Sequence, residues 1–181
     1  QMCIRDSLHP AVGDDRFCTP QVPRNQATRN QIPFKVGTDC SGMEAPLQAL
    51  EVLDLDFEHT FSCDCDEWCR KTIEGNFHPE LLLHDVTTRR VEDVPYVDVY
   101  VAGFPCQPVS TAGKRQGFKD KKGRGTIFFY LLEYIKLRQP KIFIIENVKV
   151  FMTFDKGKHM NVVLRALERI NDSNGILASA S

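Results

Sequence analysis

Five short apolar segments, separated by helical and loop patterns, constrain the fold of this chain more than any other feature. They lie at residues 32–39, 57–63, 81–86, 97–102 and 141–145. Short apolar, β-rich runs bounded by turn signals are typical of strands. The almost wholly apolar segment 141–145 is typical of the middle of a parallel sheet. Strands that alternate with helices predict an α/β fold with a mostly parallel sheet flanked by helices.

The overall composition indicates no particular partner. The chain has 181 residues and a net charge of −1, and its 42% hydrophobic and 26% charged residues are ordinary for a globular protein. No run approaches the roughly 18 apolar residues of a membrane-spanning helix, and the N-terminus lacks a signal-peptide pattern. Seven cysteines, an odd number, favour reduced thiols in an intracellular protein over a disulfide framework.

We divide the chain into three parts. Residues 1–31 show no sustained apolar period and are interpreted as a linker or disordered segment. Residues 32–175 are interpreted as one partial folded domain, and residues 176–181 as a truncated tail. Because the chain starts Gln-Met-Cys and stops without closing a further structural unit, we expect it to be a fragment.

The fourth strand leads into a turn that carries a candidate nucleophile. Gly103 and Pro105 break the strand, so Cys106 is expected at its carboxyl end, where open α/β sheets bind ligands. A cysteine between two prolines is placed like a nucleophile, but the same stretch suits a small buried thiol equally well. The fifth strand delivers Glu146 to the same edge. A buried carboxyl beside a thiol can act as its proton partner.

Acidic residues at the neighbouring strand ends predict a nucleoside-type ligand. Asp39 and Gly42 lie in a tight turn between the first strand and a helix, which places a helix N-terminus against a ligand. Asp64 ends the second strand, where an acidic residue commonly binds ribose hydroxyls, although it could instead cap the next helix. Asp85 ends the third strand. The three-glycine dinucleotide fingerprint is absent, which disfavours a nicotinamide-dependent oxidoreductase.

Two further patterns have both a functional and a structural interpretation. Residues 114–125 contain six basic residues, one acidic residue and three glycines. This loop follows Cys106 closely, so we favour a phosphate-contacting role over a merely solvated surface.

Cys63, Cys65 and Cys69 lack the second pair of ligands that a structural zinc site requires. We interpret them as structural thiols and expect no metal.

Several of these motifs together resemble the cytosine-C5 DNA methyltransferase family. Residues 103–110 (Gly-Phe-Pro-Cys-Gln-Pro-Val-Ser) are similar to the family's catalytic Pro-Cys loop, and residues 146–148 to its Glu-Asn-Val motif. Residues 113–129 resemble its catalytic loop and the helix that follows. The resemblance implies a Rossmann-like, S-adenosylmethionine-dependent methyltransferase fold, of which residues 32–175 form part.

The resemblance also implies a reaction, a cofactor and a set of site residues. Cys106 would attack C6 of a cytosine flipped out of DNA, which makes C5 nucleophilic towards the methyl group of S-adenosylmethionine. Glu146 would contact N3 and the exocyclic amine of the base. The implied cofactor-binding residues are Asp39, Cys40, Ser41, Gly42, Met43, Glu44, Asp64, Cys65, Asp85, Val86, Pro105 and Ile127. The implied substrate-binding residues are Phe104, Gln107, Ser110, Lys114, Arg115, Arg124, Asn147 and Val148.

The chain departs from the family pattern in its glycine loop, in its extent, and at Val109, which replaces a usually larger apolar residue. In the glycine loop, Cys40 replaces a usual phenylalanine, and Glu44 and Ala45 replace usual glycines. The family's arginine-bearing strand, target recognition region and C-terminal cofactor segment are missing, so we expect the 181-residue chain alone to be inactive.

Two alternative functions stay open beside the implied one. The first is a tRNA cytosine-C5 methyltransferase of the same fold. The second is a catalytically silent, DNA-binding regulatory homologue, against which the presence of Cys106 and Glu146 argues. An intracellular location is expected in each case, in the nucleus of a eukaryote or the cytoplasm of a prokaryote. No membrane partner is expected, and the oligomeric state is open.

Overall fold

The computed structural model describes residues 32–105 and 126–174, with side chains as far as Ile170. The strands are β1 (Phe34–Asp39), β2 (Phe57–Cys63), β3 (Leu81–Leu83), β4 (Val99–Gly103) and β5 (Ile142–Glu146). The α-helices are α1 (Ala45–Val52), α2 (Glu67–Asn76), α3 (Ile127–Arg138), α4 (Val150–Thr153) and α5 (Lys158–Asn174). Two short 3-10 helices span Val91–Asp93 and Phe154–Gly157. The predicted tails 1–31 and 176–181 lie outside these ranges, so the division of the chain stays a prediction.

Within the described ranges the five strands pair in parallel, in the spatial order β3-β2-β1-β4-β5. From β1 the chain first steps outward to β2 and β3, and then crosses back to β4 and β5 on the other side. The direction of winding therefore reverses between β1 and β4. Such a switch point opens a crevice at the carboxyl ends of the strands, where doubly wound sheets bind their ligands. This architecture confirms the predicted Rossmann-like α/β class.

Aromatic side chains dominate the core between the sheet and α3. Phe61 on β2 and Tyr100 on β4 both contact Tyr134 on α3, with ring centroids 5.5 and 4.5 Å apart. All three residues are fully buried. The Tyr134 hydroxyl donates a hydrogen bond to the carbonyl of Pro95 at 2.8 Å, as a buried phenol requires. This packing holds α3 against the strands whose carboxyl ends form the switch point.

The position of β5 corrects one sequence prediction. Its apolar sequence predicted an interior strand, but β5 forms one end of the described sheet and pairs there with β4 alone. Ile142 and Ile144 are 56% and 52% exposed, whereas Phe143 and Ile145 pack against the core. The composition of a strand reports how apolar its two faces are, but it does not report which elements cover them.

None of the helices in the described ranges combines the length and the apolar character that a membrane crossing requires.

Candidate active site

The carboxyl ends of β4 and β5 are joined by their register and by a side-chain hydrogen bond. Gly103 and Glu146 are paired residues at the ends of the two strands. The Asn147 side-chain amide donates to the carbonyl of Phe104 at 3.0 Å, and the Val148 N–H donates to the Asn147 amide oxygen at 2.9 Å. These contacts fix the turn after β5 against the segment that ends at Pro105.

A glycine at position 103 leaves room for the Glu146 carboxyl. A Cβ atom added at Gly103 would lie 3.3 Å from Oε2 of Glu146, closer than an ordinary van der Waals contact. Glu146 is exposed, whereas the sequence favoured a buried carboxyl. The difference follows from the position of β5, because Glu146 shares a strand face with the exposed Ile142 and Ile144.

The predicted nucleophile lies one residue beyond the described segment that ends at Pro105, which is half-buried. Five of the predicted substrate-binding residues also lie outside the described residues: Gln107, Ser110, Lys114, Arg115 and Arg124. Cys106 also lies outside the described residues, so its distance from Glu146 stays a prediction. The residues just before it, from Gly103 to Pro105, bring the chain to the carboxyl edge of the sheet beside Glu146.

Phe104, Val148 and Ile127 differ in how far their side chains are available to a ligand. Phe104 is buried and packs against Phe128 and Phe151, with ring centroids 5.9 and 5.4 Å apart. Val148 is 36% exposed at the turn after β5. Ile127, the first residue of α3, is half-buried and packs against the core. Of the three, Val148 presents the most exposed side chain at this edge.

The loop between β1 and α1 adopts left-handed backbone at three positions. Cys40, Gly42 and Glu44 have φ values of 52°, 56° and 58°. Gly42 suits this region because it lacks a Cβ, and no atom lies within 4 Å of the Cβ that it lacks. The Met43 side chain beside it is 66% exposed. The Ser41 N–H donates to the carbonyl of Cys63 at 3.1 Å, which ties the loop to the end of β2.

Asp64 joins this loop to the start of α2. Its Oδ2 accepts a hydrogen bond from the Gly42 N–H at 2.8 Å, and its Oδ1 accepts one from the Asp66 N–H at 2.8 Å. The N-cap of α2 is Asp66, whose carboxylate accepts from the N–H groups of Trp68 and Cys69. The alternative role of Asp64 as the cap is therefore excluded. A carboxylate has about four lone-pair sites, so half-buried Asp64 retains capacity for a ribose hydroxyl.

Asp85 and Val86, which follow β3, divide into a polar and an apolar position. Asp85 is half-buried, and its Oδ1 accepts hydrogen bonds from both the N–H and the hydroxyl of Thr87 at 2.8 Å. Val86 is buried in the core. The turn after β3 is thus held in place by the Asp85 side chain.

Asp39 is engaged by a residue that the sequence analysis missed. Arg89 forms a bidentate ion pair with the Asp39 carboxylate, and the Tyr100 hydroxyl donates to the same carboxylate. The Arg89 guanidinium also lies 5.8 Å from the ring centroids of Phe61 and Tyr134. Burial by itself lowers the pKa of Arg89, but the Asp39 carboxylate outweighs it and the pKa is raised. No spacing rule links a residue after β3 to the end of β1, so no sequence signal pointed to this pair.

Glu44 is likewise turned into the protein. The residue is fully buried, and Oε1 of its carboxyl lies 2.6 Å from the Thr38 hydroxyl and 2.5 Å from the Ser62 hydroxyl. Burial raises the pKa of Glu44, which outweighs the lowering effect of hydrogen bonds from Ser62 and Thr38. This side chain therefore faces the two strands rather than the crevice.

The described cysteines behave as ordinary protonated thiols. Burial raises the pKa of Cys63 to about 12, and it also raises the pKa of Cys40, Cys65 and Cys69, with nearby carboxylates acting in the same direction. The part of the chain that the structure describes contains no cluster of three or more side chains suited to hold a metal ion. Cys65, predicted to contact a cofactor, is exposed beside Asp64.

The fold defines a doubly wound α/β domain whose winding reverses between β1 and β4. The chain belongs to the C-5 cytosine-specific DNA methylase family, whose model matches residues 38–174. This match confirms the family that the sequence motifs resembled.

Curated relatives agree with this assignment, and a solved structure shares the fold. The chain is 42% identical over 112 residues to the Type II methyltransferase M.NgoBI of Neisseria gonorrhoeae. This alignment covers 62% of this chain and 34% of the relative. It is 44% identical over 109 residues to the Type II methyltransferase M.HpaII of Haemophilus parainfluenzae. This alignment covers 59% of this chain and 30% of the relative. The fold matches the S. pombe Dnmt2 methyltransferase with a TM-score of 0.55 and 19% identity, over 74% of this chain and 40% of that one. The chain spans about a third of the length of the curated relatives it matches.

Proposed function

We propose that this chain forms the cofactor-binding and catalytic part of a DNA (cytosine-5-)-methyltransferase that uses S-adenosylmethionine. The observation that carries the proposal is the pairing of Gly103 with Glu146, reinforced by the hydrogen bond from Asn147 to Phe104. In a chain of this family, that geometry brings the residues just before Cys106 to the carboxyl of Glu146. The Type II methyltransferase relatives support DNA as the substrate.

The residues at the crevice suit the proposed cofactor. S-adenosylmethionine, when bound, supplies an electrophilic methyl group on a sulfonium. Asp64 would hold the ribose hydroxyls, and the open space at Gly42 would admit the cofactor close to the backbone. Asp85 and Val86 would lie beside the adenine, and Met43, Ser41, Cys65, Pro105 and Ile127 would complete the contacts. Asp39, with its carboxylate paired to Arg89, would hold the loop rather than meet the cofactor.

The chemistry at the base would use two side chains. The thiol of Cys106 must lose its proton, since an ordinary cysteine with a pKa of about 8.5 is mostly protonated at neutral pH. Its sulfur would form a bond to C6, and the displaced electron pair would make C5 nucleophilic. Glu146 would stabilise the ring through N3 and the exocyclic amine. Transfer of the methyl group to C5 would leave S-adenosylhomocysteine. Loss of the C5 proton to a base, with breakage of the C6–S bond, would then release the methylated cytosine and the Cys106 thiolate.

The base must leave the duplex to reach this edge. Asn147 and Val148 lie beside Glu146 and would line the base pocket, together with Gln107 and Ser110. Lys114, Arg115 and Arg124 would contact the phosphate backbone, with Phe104 supporting the turn from the core. A protein that acts on genomic DNA would work inside the cell.

The test is covalent trapping on duplex DNA that carries 5-fluorocytosine, in the presence of S-adenosylmethionine and with the longest natural form of the protein. Fluorine cannot leave C5 as the proton does, so the C6–S adduct persists on a denaturing gel. We expect an adduct with the parent protein and with the control Cys69→Ala, and none with Cys106→Ala. We expect none with the 181-residue chain alone.

Other outcomes would decide between the alternatives. An adduct with 5-fluorocytosine tRNA and none with DNA would replace the proposal with a tRNA methyltransferase. Tight binding of duplex DNA without any adduct would replace it with a catalytically silent regulatory homologue.

A further inference from the structure

Glu44 occupies an unusual position for a charged residue. It is the N-cap of α1, its φ is +58°, and it is fully buried. Left-handed backbone favours glycine, so a side chain is retained here at a conformational cost. The side-chain contacts of Glu44 should reveal what offsets this cost.

The Glu44 carboxyl ends a chain of hydrogen bonds that crosses β2. Oε1 of Glu44 contacts the Ser62 hydroxyl at 2.5 Å, and that hydroxyl contacts Nε2 of His59 at 2.8 Å. Nδ1 of His59 lies 3.3 Å from the carbonyl of Phe77. The single hydroxyl hydrogen of Ser62 is donated to Oε1 of Glu44, so the Ser62 oxygen accepts from Nε2 of His59. Nε2 of His59 also lies 3.8 Å from Oε1 of Glu44, so the network holds the Glu44 carboxyl against β2.

Two observations favour a neutral acid at Glu44. Oε2 of Glu44 is buried and has no hydrogen-bond partner within the described part of the chain. An ionised carboxylate would leave that oxygen charged and unsolvated, which is costly in a protein interior. Burial also raises the pKa of Glu44 and lowers the pKa of His59, so both groups tend towards their uncharged forms.

The same network reaches the loop that faces the crevice. The Thr38 hydroxyl, which donates to Glu44 at 2.6 Å, lies 2.7 Å from the Ser41 hydroxyl. The Cys63 N–H donates to the Ser41 hydroxyl at 3.0 Å. Next along the loop, the Gly42 N–H donates to Asp64. Through Thr38 and Ser62, Glu44 therefore connects the loop at residues 40–44 to both β1 and β2.

We propose that Glu44 is a positioning residue, whose neutral carboxyl holds the loop at residues 40–44 in the geometry that binds the cofactor without contacting the cofactor itself. This assigns Glu44 an indirect role in place of the direct contact that the resemblance implied. The effect on the cofactor rests on the proposed function, whereas the order of the loop does not.

The experiment compares Glu44→Gln with Glu44→Gly, and uses Glu51→Gln on the exposed side of α1 as the matched control. Two quantities are measured in the longest natural form of the protein: the dissociation constant for S-adenosylhomocysteine, and the ligand-free amide exchange of Ser41 and Cys63. Glutamine reproduces the shape and neutrality of the acid, so Glu44→Gln should bind within about threefold of the parent. Glu44→Gly relieves the backbone but cuts the ties, so binding should weaken about tenfold or more and exchange should accelerate.

Three results would overturn the proposal. Unchanged binding and exchange in Glu44→Gly would show that the side chain positions nothing. If Glu44→Gln binds S-adenosylhomocysteine as weakly as Glu44→Gly while its amide exchange stays at the parent rate, an ionised carboxylate acts on the cofactor. A lower melting temperature in Glu44→Gly with unchanged binding would reduce Glu44 to a purely structural residue.

Two controls keep these outcomes distinct. If Glu44→Gly does not fold, Thr38→Val removes one hydroxyl of the network at nearly constant shape, and the same loss of binding and faster exchange are expected. If the parent protein binds no S-adenosylhomocysteine, the proposed function fails at its cofactor. The exchange of Ser41 and Cys63 then still decides whether Glu44 holds the loop.

Discussion

Arg89 and Asp39 form a buried bidentate ion pair that joins the segment after β3 to the carboxyl end of β1. The two residues are 50 positions apart in the chain, and both side chains are almost completely withdrawn from solvent. Tyr100 completes the site by donating its hydroxyl to the same carboxylate. The pair therefore fixes the turn that carries Asp85 and Val86 relative to the loop that carries Gly42.

Replacing Arg89 with methionine should destabilise the protein strongly. The change leaves the Asp39 carboxylate buried without its cation, and breaking such a pair typically costs about 3–5 kcal/mol. Urea unfolding measures the loss. Arg90→Met is the matched control: the Arg90 side chain is 76% exposed, so its loss should stay within about 0.5 kcal/mol. A loss for Arg89→Met as small as that for Arg90→Met would contradict the buried pair.

Asp64 and Asp66 should separate cofactor binding from helix capping. Asp64→Asn removes one of the two oxygens that accept from Gly42 and Asp66, and should weaken S-adenosylhomocysteine binding about tenfold. Asp66→Ala removes the cap of α2 and should cost about 1 kcal/mol of stability, with binding preserved. Calorimetric titration and thermal unfolding of both variants check this. Equal effects of the two variants on binding would refute the separate roles.

Gly103→Ala should impair chemistry more than folding. The added methyl would lie 3.3 Å from Oε2 of Glu146 and would push that flexible carboxyl aside. Glu146 is the proposed catalytic carboxyl, and small misplacements of a catalytic group are costly, so the rate of adduct formation on 5-fluorocytosine DNA should fall about tenfold or more. The free energy of unfolding should fall by only about 1 kcal/mol. A normal rate of adduct formation would show that Glu146 does not need its present position.

Gly37→Ala should test how closely β1 approaches the aromatic core. A Cβ atom at Gly37 would lie 2.2 Å from the ring of Phe61, which is fully buried. Overpacking of this kind costs about 1–3 kcal/mol or more, and Phe61→Leu in the same chain should recover part of it.

The matched control is Gly75 in α2, where no atom lies within 4 Å of an added Cβ. Gly75→Ala should be neutral, or stabilising by up to about 1 kcal/mol. Urea unfolding of the variants decides.

Glu44 and His59 should affect the pH dependence of the unfolding free energy in opposite directions. The pKa of Glu44 is raised above 4.5 by burial, with a smaller contribution from Asp64, so its stabilising effect is complete below that value and is lost as pH rises through the folded pKa. The pKa of His59 is lowered from 6.5 by burial, so its effect is present above 6.5 and is lost as pH falls through the folded pKa. Glu44→Gln should therefore flatten the loss of stability towards higher pH, and His59→Gln the loss towards lower pH.

Urea unfolding of the parent and both variants at several pH values measures these slopes. The exposed Glu51→Gln serves as the control and should leave both slopes unchanged. If Glu44→Gln and the parent share one profile, the carboxyl of Glu44 does not change its proton affinity on folding.

The sequence alone was sufficient for the fold class, the family and the approximate bounds of the strands. Apolar segments and their turn signals located β1 to β5 to within a few residues, because strand and helix periods are local properties of the chain. The carboxyl ends of parallel strands meet at one edge, which is why the turn after β4 and Glu146 after β5 were expected on the same side of the sheet.

Only the tertiary structure decided which side chains turn towards the crevice and which turn away from it. Asp39 and Glu44 were both predicted at the cofactor, yet one is neutralised by Arg89 and the other is held by Thr38 and Ser62. The exposed face of β5 was equally hidden from the sequence. Burial and pairing depend on residues far apart in the chain, so a local pattern predicts where a strand ends but not which partners its last side chains find.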